Sequence, residues 1–137
     1  MKILEKIKEI TFAFDRNLFP NRNLHLSFLI YKGRIISIGQ NSKKTHPINL
    51  KNRKINKDGV DISSFRGSCS EWNAISKLKN LTNIPAHKCF LVNIRINKNN
   101  EIGMSMPCNS CLKLLSFFNI SRVFYSNQKG EFNQLGV

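Results

Sequence analysis

Hydrophobic residues recur with a helical period in the first part of this chain and with a strand-like pattern after it. Within residues 2–16 the apolar positions stand three or four apart, at Ile3, Ile7, Ile10 and Phe14. This spacing predicts an amphipathic helix. The next apolar stretch, LHLSFLIYKGRIISIG, divides into two β-branched-rich runs around Lys32-Gly33. It predicts a hairpin with strands near 24–31 and 34–39.

Residues 40–67 contain few large apolar side chains and most of the clustered lysines and arginines. A loop of this length in a compact domain is uncommon, and is usually either functional or disordered. After it the pattern predicts a helix, a strand, a helix and two strands, over residues 68–80, 88–97, 107–119, 121–126 and 131–135.

The resulting order, α-β-β-α-β-α-β-β, indicates a mixed sheet with helices packed on it. About four residues join the last two strands, whereas a parallel crossover needs at least ~10 residues, so this pair is predicted to be antiparallel. A chain of 137 residues has the size of one ordinary domain, which we assign to residues 1–137.

The chain is strongly basic, with 22 Lys and Arg against 8 Asp and Glu and a net charge of +14. Such an excess favours polyanionic partners through phosphate contacts and counterion release. Stretches such as NIRINKNNEIG are also rich in Lys, Asn and Ile, a composition that AT-rich genomes tend to encode. The charge therefore favours a nucleic-acid or nucleotide partner without identifying one.

Nothing in the hydropathy pattern points to a membrane. No apolar run approaches the ~18 residues of a membrane span, and the segment MKILEKIKEITFAFD mixes charges throughout, unlike a signal peptide. We expect a cytoplasmic location, in a bacterium or in a virus such as a phage. The four cysteines, Cys69, Cys89, Cys108 and Cys111, do not suggest a disulfide framework in such a setting.

Three of the cysteines have the spacing of a metal site. Cys108 and Cys111 follow Pro107, which is favoured at the first position of a helix, so both would lie on one face of a first helical turn. Cys69 falls in the first turn of the preceding predicted helix, two residues before Glu71. Two helices side by side on one sheet can bring these thiols together. Taken alone, the Cys-x-x-Cys pair is also compatible with a redox dithiol.

Three protein ligands and one open position describe a catalytic zinc site, where the metal acidifies a bound water. The positive ends of two helices would offset the charge of three thiolates. Glu71, beside the metal, would serve as general acid and base. The alternative for Glu71 is a capping box with Ser68, in which it bonds only the backbone.

Cys69-Ser70-Glu71 followed by Pro107-Cys108-Asn109-Ser110-Cys111 resembles the signature of the zinc-dependent cytidine deaminase superfamily, of the small phage- or bacteria-encoded type. The resemblance covers nearly the whole chain, because the predicted element order is also similar. It implies a three-layer α/β/α fold with a mixed five-stranded sheet whose last two strands are antiparallel. It further implies that the three cysteines bind zinc and that Glu71 shuttles protons while water displaces ammonia from a cytosine ring.

Other residues are candidates for substrate contacts. Asn41 ends the second predicted strand, where the resembled superfamily commonly binds the sugar or base. His46 lies in the following NSKKTHP segment, as a substrate contact or a brace for the loop. Ser70 and Trp72 flank Glu71, and Trp72 is either part of the core or a pocket wall. The basic loop offers possible phosphate contacts, at Lys43, Lys44, Lys51 and Arg53.

These observations favour zinc-dependent deamination of cytosine in single-stranded DNA or RNA, because Lys and Arg line the grooves that bind single strands. Free (deoxy)cytidine or its nucleotide is the alternative substrate, since a Cys in the first ligand position resembles the nucleoside-type branch. A further alternative is an inactive, zinc-containing module that binds nucleic acid. The motif also leaves adenine and guanine open as substrates.

Overall fold

The computed structural model describes residues 2–14, 23–41, 69–77 and 84–136. These ranges contain three α-helices and a six-stranded mixed sheet. In chain order the elements are α1 (Lys2–Phe12), β1 (Leu24–Tyr31), β2 (Arg34–Gln40), α2 (Ser70–Ser76), β3 (Phe90–Ile96), β4 (Ile102–Gly103), α3 (Asn109–Phe117), β5 (Arg122–Ser126) and β6 (Phe132–Gly136). Within the same ranges, no helix has the length and apolarity needed to cross a membrane.

The main path of the sheet follows the order β2-β1-β3-β5-β6. β1 lies antiparallel to both β2 and β3, β3 runs parallel to β5, and β5 is antiparallel to β6. The connection between the parallel pair contains α3, as a parallel crossover requires. The antiparallel pairing of β5 with β6 confirms the predicted antiparallel ending of the sheet.

The hairpin between β1 and β2 turns through Lys32 and Gly33, which have φ angles of 51° and 74°. Two-residue hairpin loops of type I′ need a positive φ at both central positions, and this turn matches the right-handed twist of the strands. Glycine adopts this conformation without steric cost. The predicted hairpin is confirmed, and its Lys-Gly turn explains why the chain reverses here.

The prediction of five strands is wrong by one strand. The short β4 pairs antiparallel with the end of β3, with Ile102 opposite Ile96. The turn before it is closed by Asn97, whose backbone N–H donates to the carbonyl oxygen of Glu101 at 2.9 Å. A strand of two residues carries no detectable alternation of apolar and polar positions, so the sequence pattern showed only the turn.

Alternate residues of the strands divide the core into two clusters, one on each face of the sheet. On the first face, α1 packs through the buried Ile7 and several half-buried apolar residues in a cluster that also includes Leu26, Phe28, Val92 and Ile94. On the other face, α2 and α3 pack against the sheet in a cluster that includes Leu29, Trp72, Ile75, Leu91, Leu114, Leu115 and Val123. The helices thus cover both faces, with α2 and α3 together.

The backbone of α2 rests directly on the edge strand β2. A Cβ atom at Gly39 would overlap the carbonyl oxygen of Ser70 and the amide nitrogen of Ala74. Beside this contact, Ser37 Oγ donates a hydrogen bond to the Ala74 carbonyl oxygen at 2.7 Å. Any side chain at Gly39 would therefore separate the helix from the strand.

Side chains of α2 also bind the outer edge of β2. Asn73 Nδ2 donates to the carbonyl oxygen of Gln40 at 2.5 Å, and Lys77, just after the helix, donates from Nζ to that of Ile38 at 2.7 Å. The backbone N–H of Asn41 points towards β1, so the carbonyl groups of Gln40 and Ile38 point away from it. These two bonds fix the position of α2 along the strand.

We expect Gly39→Ala to lower the free energy of unfolding by about 1–3 kcal/mol, because overpacking displaces the helix from the strand. Urea unfolding followed by circular dichroism would measure this loss. Gly136→Ala in β6 is the matched control, since nothing lies within 4 Å of a Cβ atom at that position. Equal midpoints for the two variants would contradict direct docking of α2 on Gly39.

Candidate metal centre

The helices that carry the cysteines each begin two residues later than predicted, at Ser70 and at Asn109. Cys69 and Cys108 are therefore N-cap residues with extended backbones, with ψ angles of 147° and 169°. An N-cap residue keeps non-helical dihedral angles while the helix starts at the next residue. The prediction that Cys108 and Cys111 share the first helical turn is wrong, because Cys108 precedes that turn.

Two thiols and one carboxylate converge where α2 and α3 begin. The ligand atoms of Cys69, Glu71 and Cys111 all lie within 4.8 Å of one another. A point therefore exists that is at most about 2.8 Å (4.8/√3) from each of the three atoms. For comparison, a Zn–S bond is ~2.3 Å long. A small adjustment would therefore bring all three atoms to bonding distance of one ion.

The two sulfur atoms interact strongly with each other. The Cys111 thiol donates a hydrogen bond to Cys69, and this bond lowers the pKa of Cys69 although burial and the charge of Glu71 oppose it. The same hydrogen bond, burial and Glu71 all raise the pKa of Cys111. Cys69 is thus the thiol that ionises first, and a bound cation would be needed to ionise both.

Cys108 lies outside this cluster, with an exposed side chain. It makes no side-chain capping bond to the helix. An N-cap side chain ordinarily reaches the backbone N–H of the third helical residue, which in α3 is Cys111. The structure therefore brings together two of the three predicted thiols and the predicted carboxylate. Cys108 precedes Cys111 by three residues, but its thiol is not part of the cluster.

The carboxylate of Glu71 is buried and hydrogen-bonded. Only 7% of the surface of Glu71 is exposed to solvent. Its Oε1 accepts hydrogen bonds from Asn93 Nδ2 at 2.9 Å and from Ser70 Oγ at 3.3 Å. Burial of a carboxylate is costly unless such donors are present. The alternative capping role of Glu71 involves Ser68, which lies outside the described residues.

A chain of short contacts continues from Glu71 into the sheet. Ser27 Oγ donates to Asn93 Oδ1 at 2.6 Å, and the hydroxyls of Ser27 and Ser70 are 2.7 Å apart. Two hydroxyl protons cannot serve these two contacts and the Ser70–Glu71 contact at once. Ser70 can therefore donate to Ser27 or to Glu71, but not to both at once. The carboxylate of Glu71 thus shares the Ser70 hydroxyl with Ser27 of β1.

Sequence reasoning missed the polar residues behind Glu71. Ser27 and Asn93 face each other across β1 and β3, and both are buried. Asn93 Nδ2 also donates to the carbonyl oxygen of Ser105 at 3.2 Å, and Ser105 Oγ lies 2.8 Å from Ser126 Oγ. The sequence does contain a signal for them, because each is a polar residue within an apolar strand, Ser27 in LHLSFLIY and Asn93 in FLVNIRI. A polar residue at a buried position is unusual and often indicates a specific role.

The two residues that flank Glu71 are both buried. Trp72 is 2% exposed, belongs to the core cluster and meets the ring of Phe118 edge-on, with centroids 6.3 Å apart. Ser70 places its hydroxyl between Ser27 and Glu71. Of the two alternatives for Trp72, the structure shows core packing, and substrate contact by Ser70 or Trp72 stays a prediction.

Asn41 clamps the start of β1. Its Oδ1 accepts the backbone N–H of His25 at 3.0 Å, and its Nδ2 donates to the carbonyl oxygen of Asn23 at 3.2 Å. Its own backbone N–H donates to the His25 carbonyl oxygen at 3.1 Å. Its side chain is thus engaged with the sheet, and the predicted substrate contact would use the second N–H of Nδ2 or the second lone pair of Oδ1.

The remaining predicted site residues lie outside the described residues. They are His46, Lys43, Lys44, Lys51 and Arg53. Their roles as substrate or phosphate contacts stay predictions.

A depression of about 460 Å³ lies beside α2 but not at the cysteines. Its walls include Phe14, Ile38, Gln40, Asn73 and Lys77. None of the three clustered ligand residues lines it, because Asn73 projects from a different side of α2 than Glu71. The cluster of Cys69, Glu71 and Cys111 and this depression are therefore separate features.

Comparison with known protein families finds no family model that matches the chain, and comparison with curated proteins finds no matching relative.

We expect the purified protein to bind about one Zn²⁺ per chain. Cys69→Ser and Cys111→Ser should each weaken zinc binding by more than ~100-fold, since even residues outside the ligand shell contribute 10–100-fold. Competition with a chromophoric chelator would measure the affinities. Cys89→Ser is the control, because Cys89 is buried away from the cluster with its thiol 3.6 Å from the Pro85 carbonyl oxygen. Unchanged affinity in both cluster variants would refute the site.

His25 gives the fold a pH dependence with a defined sign. Burial and the adjacent Arg95 lower the pKa of His25 from 6.5 to about 4. Protonation therefore favours the unfolded chain. The His25 contribution is fully present above pH 6.5 and is lost as pH falls towards 4, by at most about 3 kcal/mol at about 1.36 kcal/mol per pH unit. Urea unfolding at several pH values should show this slope, and His25→Gln should remove it.

Proposed function

We propose that this protein is a zinc-dependent hydrolytic deaminase that converts cytosine to uracil. The observation that carries the proposal is the convergence of Cys69, Glu71 and Cys111, whose ligand atoms lie within 4.8 Å of one another. They are three of the four residues that the sequence pattern assigns to zinc binding and proton transfer. Their meeting supports the proposal, because side chains from the start of α2 and from the first turn of α3 lie close enough to bind one ion.

The donor set suits zinc. Thiolate sulfur is the ligand that zinc centres most often combine with histidine or carboxylate, and a bound cation would offset the raised pKa of Cys111 so that both sulfurs could bind as thiolates. Cys108 would supply the third sulfur by turning towards Cys111. Glu71 would then remain beside the zinc rather than on it.

The roles of the residues follow from their positions. Zinc, when bound, supplies Lewis acidity that lets a water molecule ionise near neutral pH. Glu71 would transfer the two protons of the attacking water in turn, one to the cytosine ring nitrogen and one to the departing amino group, so that ammonia leaves and the ring keeps the oxygen as a carbonyl. The hydrogen bonds from Asn93 and Ser70 support this role, because they hold the buried carboxylate beside the two sulfurs.

The architecture also supports the proposal. The parallel pair β3 and β5, the two helices that precede these strands on one face, and the antiparallel β5–β6 ending are features that the resembled superfamily shares. The added β4 lies at the end of β3 and leaves this arrangement intact. We therefore propose a cytidine deaminase-like fold.

We favour cytosine in single-stranded DNA or RNA as the substrate. The net charge of +14 provides the cations that bind a phosphate backbone. Free (deoxy)cytidine or its nucleotide is the second candidate. A specific observation favours it, because the antiparallel β5–β6 pair and the Cys in the first ligand position resemble the nucleoside-type branch.

The test is turnover by the zinc-loaded protein on a cytosine-containing oligonucleotide, on deoxycytidine and on its monophosphate, at low and high salt. Glu71→Gln should lower kcat by at least ~100-fold, the usual range for loss of a general acid–base group, while zinc content stays near one per chain. Lys113→Gln, on the exposed side of α3, is the control for a change of surface charge.

Three outcomes separate the candidates. Oligonucleotide turnover that falls steeply with salt supports the polynucleotide substrate, and turnover of the monomers alone supports the second candidate. Zinc binding with no deamination of any cytosine, adenine or guanine substrate would leave a zinc-containing nucleic-acid-binding module and would refute the enzyme.

A further inference from the structure

Glu71 is close enough to the sulfurs to become a metal ligand itself. Its carboxylate oxygen is within 4.8 Å of the sulfur atoms of both Cys69 and Cys111, and carboxylates bind zinc readily. A carboxylate bound to the metal would occupy the position that water needs and would lose its role in proton transfer. The proposed role of Glu71 therefore requires a contact that keeps its carboxylate off the metal.

Two donors restrain Glu71, and both act on one oxygen. Asn93 Nδ2 donates to Oε1 at 2.9 Å and Ser70 Oγ donates to it at 3.3 Å. Asn93 gives the shorter bond, and the Ser70 proton is also needed by Ser27 Oγ, 2.7 Å away. The amide of Asn93 is therefore the main restraint on the carboxylate.

The orientation of the Asn93 amide follows from its partners. Nδ2 faces two acceptors, Glu71 Oε1 and the carbonyl oxygen of Ser105 at 3.2 Å, while Oδ1 accepts from Ser27 Oγ at 2.6 Å. Exchanging the two ends of the amide would place Oδ1 against two acceptors. The network thus fixes the amide with its N–H groups towards Glu71.

The position of Asn93 is also fixed. It lies at the centre of β3, paired with Ser27 of β1 on one side and with Tyr125 of β5 on the other, and it is 2% exposed. Its carbonyl oxygen accepts Ser105 Oγ at 2.9 Å. A side chain anchored in this way can hold a neighbouring group against the attraction of a metal ion.

We propose that Asn93 is a positioning residue that keeps Glu71 off the metal and available for proton transfer. The inference rests on the proposed function for the role of Glu71, but its geometric part concerns metal ligation alone. Without the amide, the carboxylate would take the open position of the metal in place of water, so turnover would be lost while the substrate still binds.

The test compares Co²⁺-loaded wild type, Asn93→Ala and Ser27→Ala by visible absorption. Exchange of a water ligand for a carboxylate oxygen changes the ligand field of Co²⁺, so Asn93→Ala should shift the ligand-field bands. Ser27→Ala removes only the hydroxyl that orients the amide, and we expect a smaller change of the same kind. Adding Glu71→Gln to Asn93→Ala should restore the wild-type spectrum, because the amide of Gln is a poor ligand.

Kinetics provide the second readout. Asn93→Ala should lower kcat about 100-fold with little change in KM, as expected when a catalytic group is displaced by about 1 Å. Ser37→Ala is the control, because it removes a buried hydroxyl bond to the Ala74 carbonyl oxygen of the same helix without touching Glu71 or Asn93. It should leave both spectrum and kcat unchanged.

The outcomes distinguish this inference from the proposed function. A wild-type spectrum in both Asn93→Ala and Ser27→Ala overturns the positioning role, whatever the turnover. A changed spectrum that Glu71→Gln restores supports it even if wild type deaminates nothing, in which case only the proposed function fails. If Asn93→Ala does not fold, the Ser27→Ala spectrum decides by the same criterion. Failure of wild type to bind Co²⁺ or Zn²⁺ overturns both.

Discussion

The hydrogen bond from the Asn93 amide to Glu71 is the interaction on which the rest of the site depends. A carboxylate placed in a core loses several kcal/mol of solvation, and only good hydrogen-bond geometry recovers it. The donors come from different elements, β3 for Asn93 and α2 for Ser70. Both hydrogen bonds to the carboxylate therefore form only when α2 is correctly positioned on the sheet.

The helix that carries Glu71 depends on the sheet for its own stability. α2 contains seven residues, fewer than an isolated helix needs in water. Its position is set by the bare backbone of Gly39 and by bonds from Asn73 and Lys77 to β2. A residue in an edge strand thereby controls where Cys69 and Glu71 stand, although it has no chemistry of its own.

Much of this arrangement follows from local sequence patterns. The period of α1, the Lys32-Gly33 turn and the short link between β5 and β6 are each encoded within a few residues, so the hairpin and the antiparallel ending could be predicted. The spacing of the cysteines and Glu71 likewise led to the cluster. The role of Asn93 could not be predicted, because it depends on the pairing of β3 with Ser27 of β1, a contact between residues 66 positions apart. The start of each helix and the two-residue β4 depend on tertiary contacts in the same way.

The bonds from α2 to β2 have a consequence for how the sheet can meet other chains. An edge strand normally offers a row of free backbone groups on which a foreign strand can add. In β2, the outward carbonyl oxygens of Ile38 and Gln40 already accept hydrogen bonds from the side chains of Lys77 and Asn73. An incoming strand would have to break both bonds, which hold the helix that carries Glu71. Recruitment of another strand at this edge would thus disturb the position of Cys69 and Glu71, which leaves β6, at the other end of the described sheet, as the edge where a strand can add.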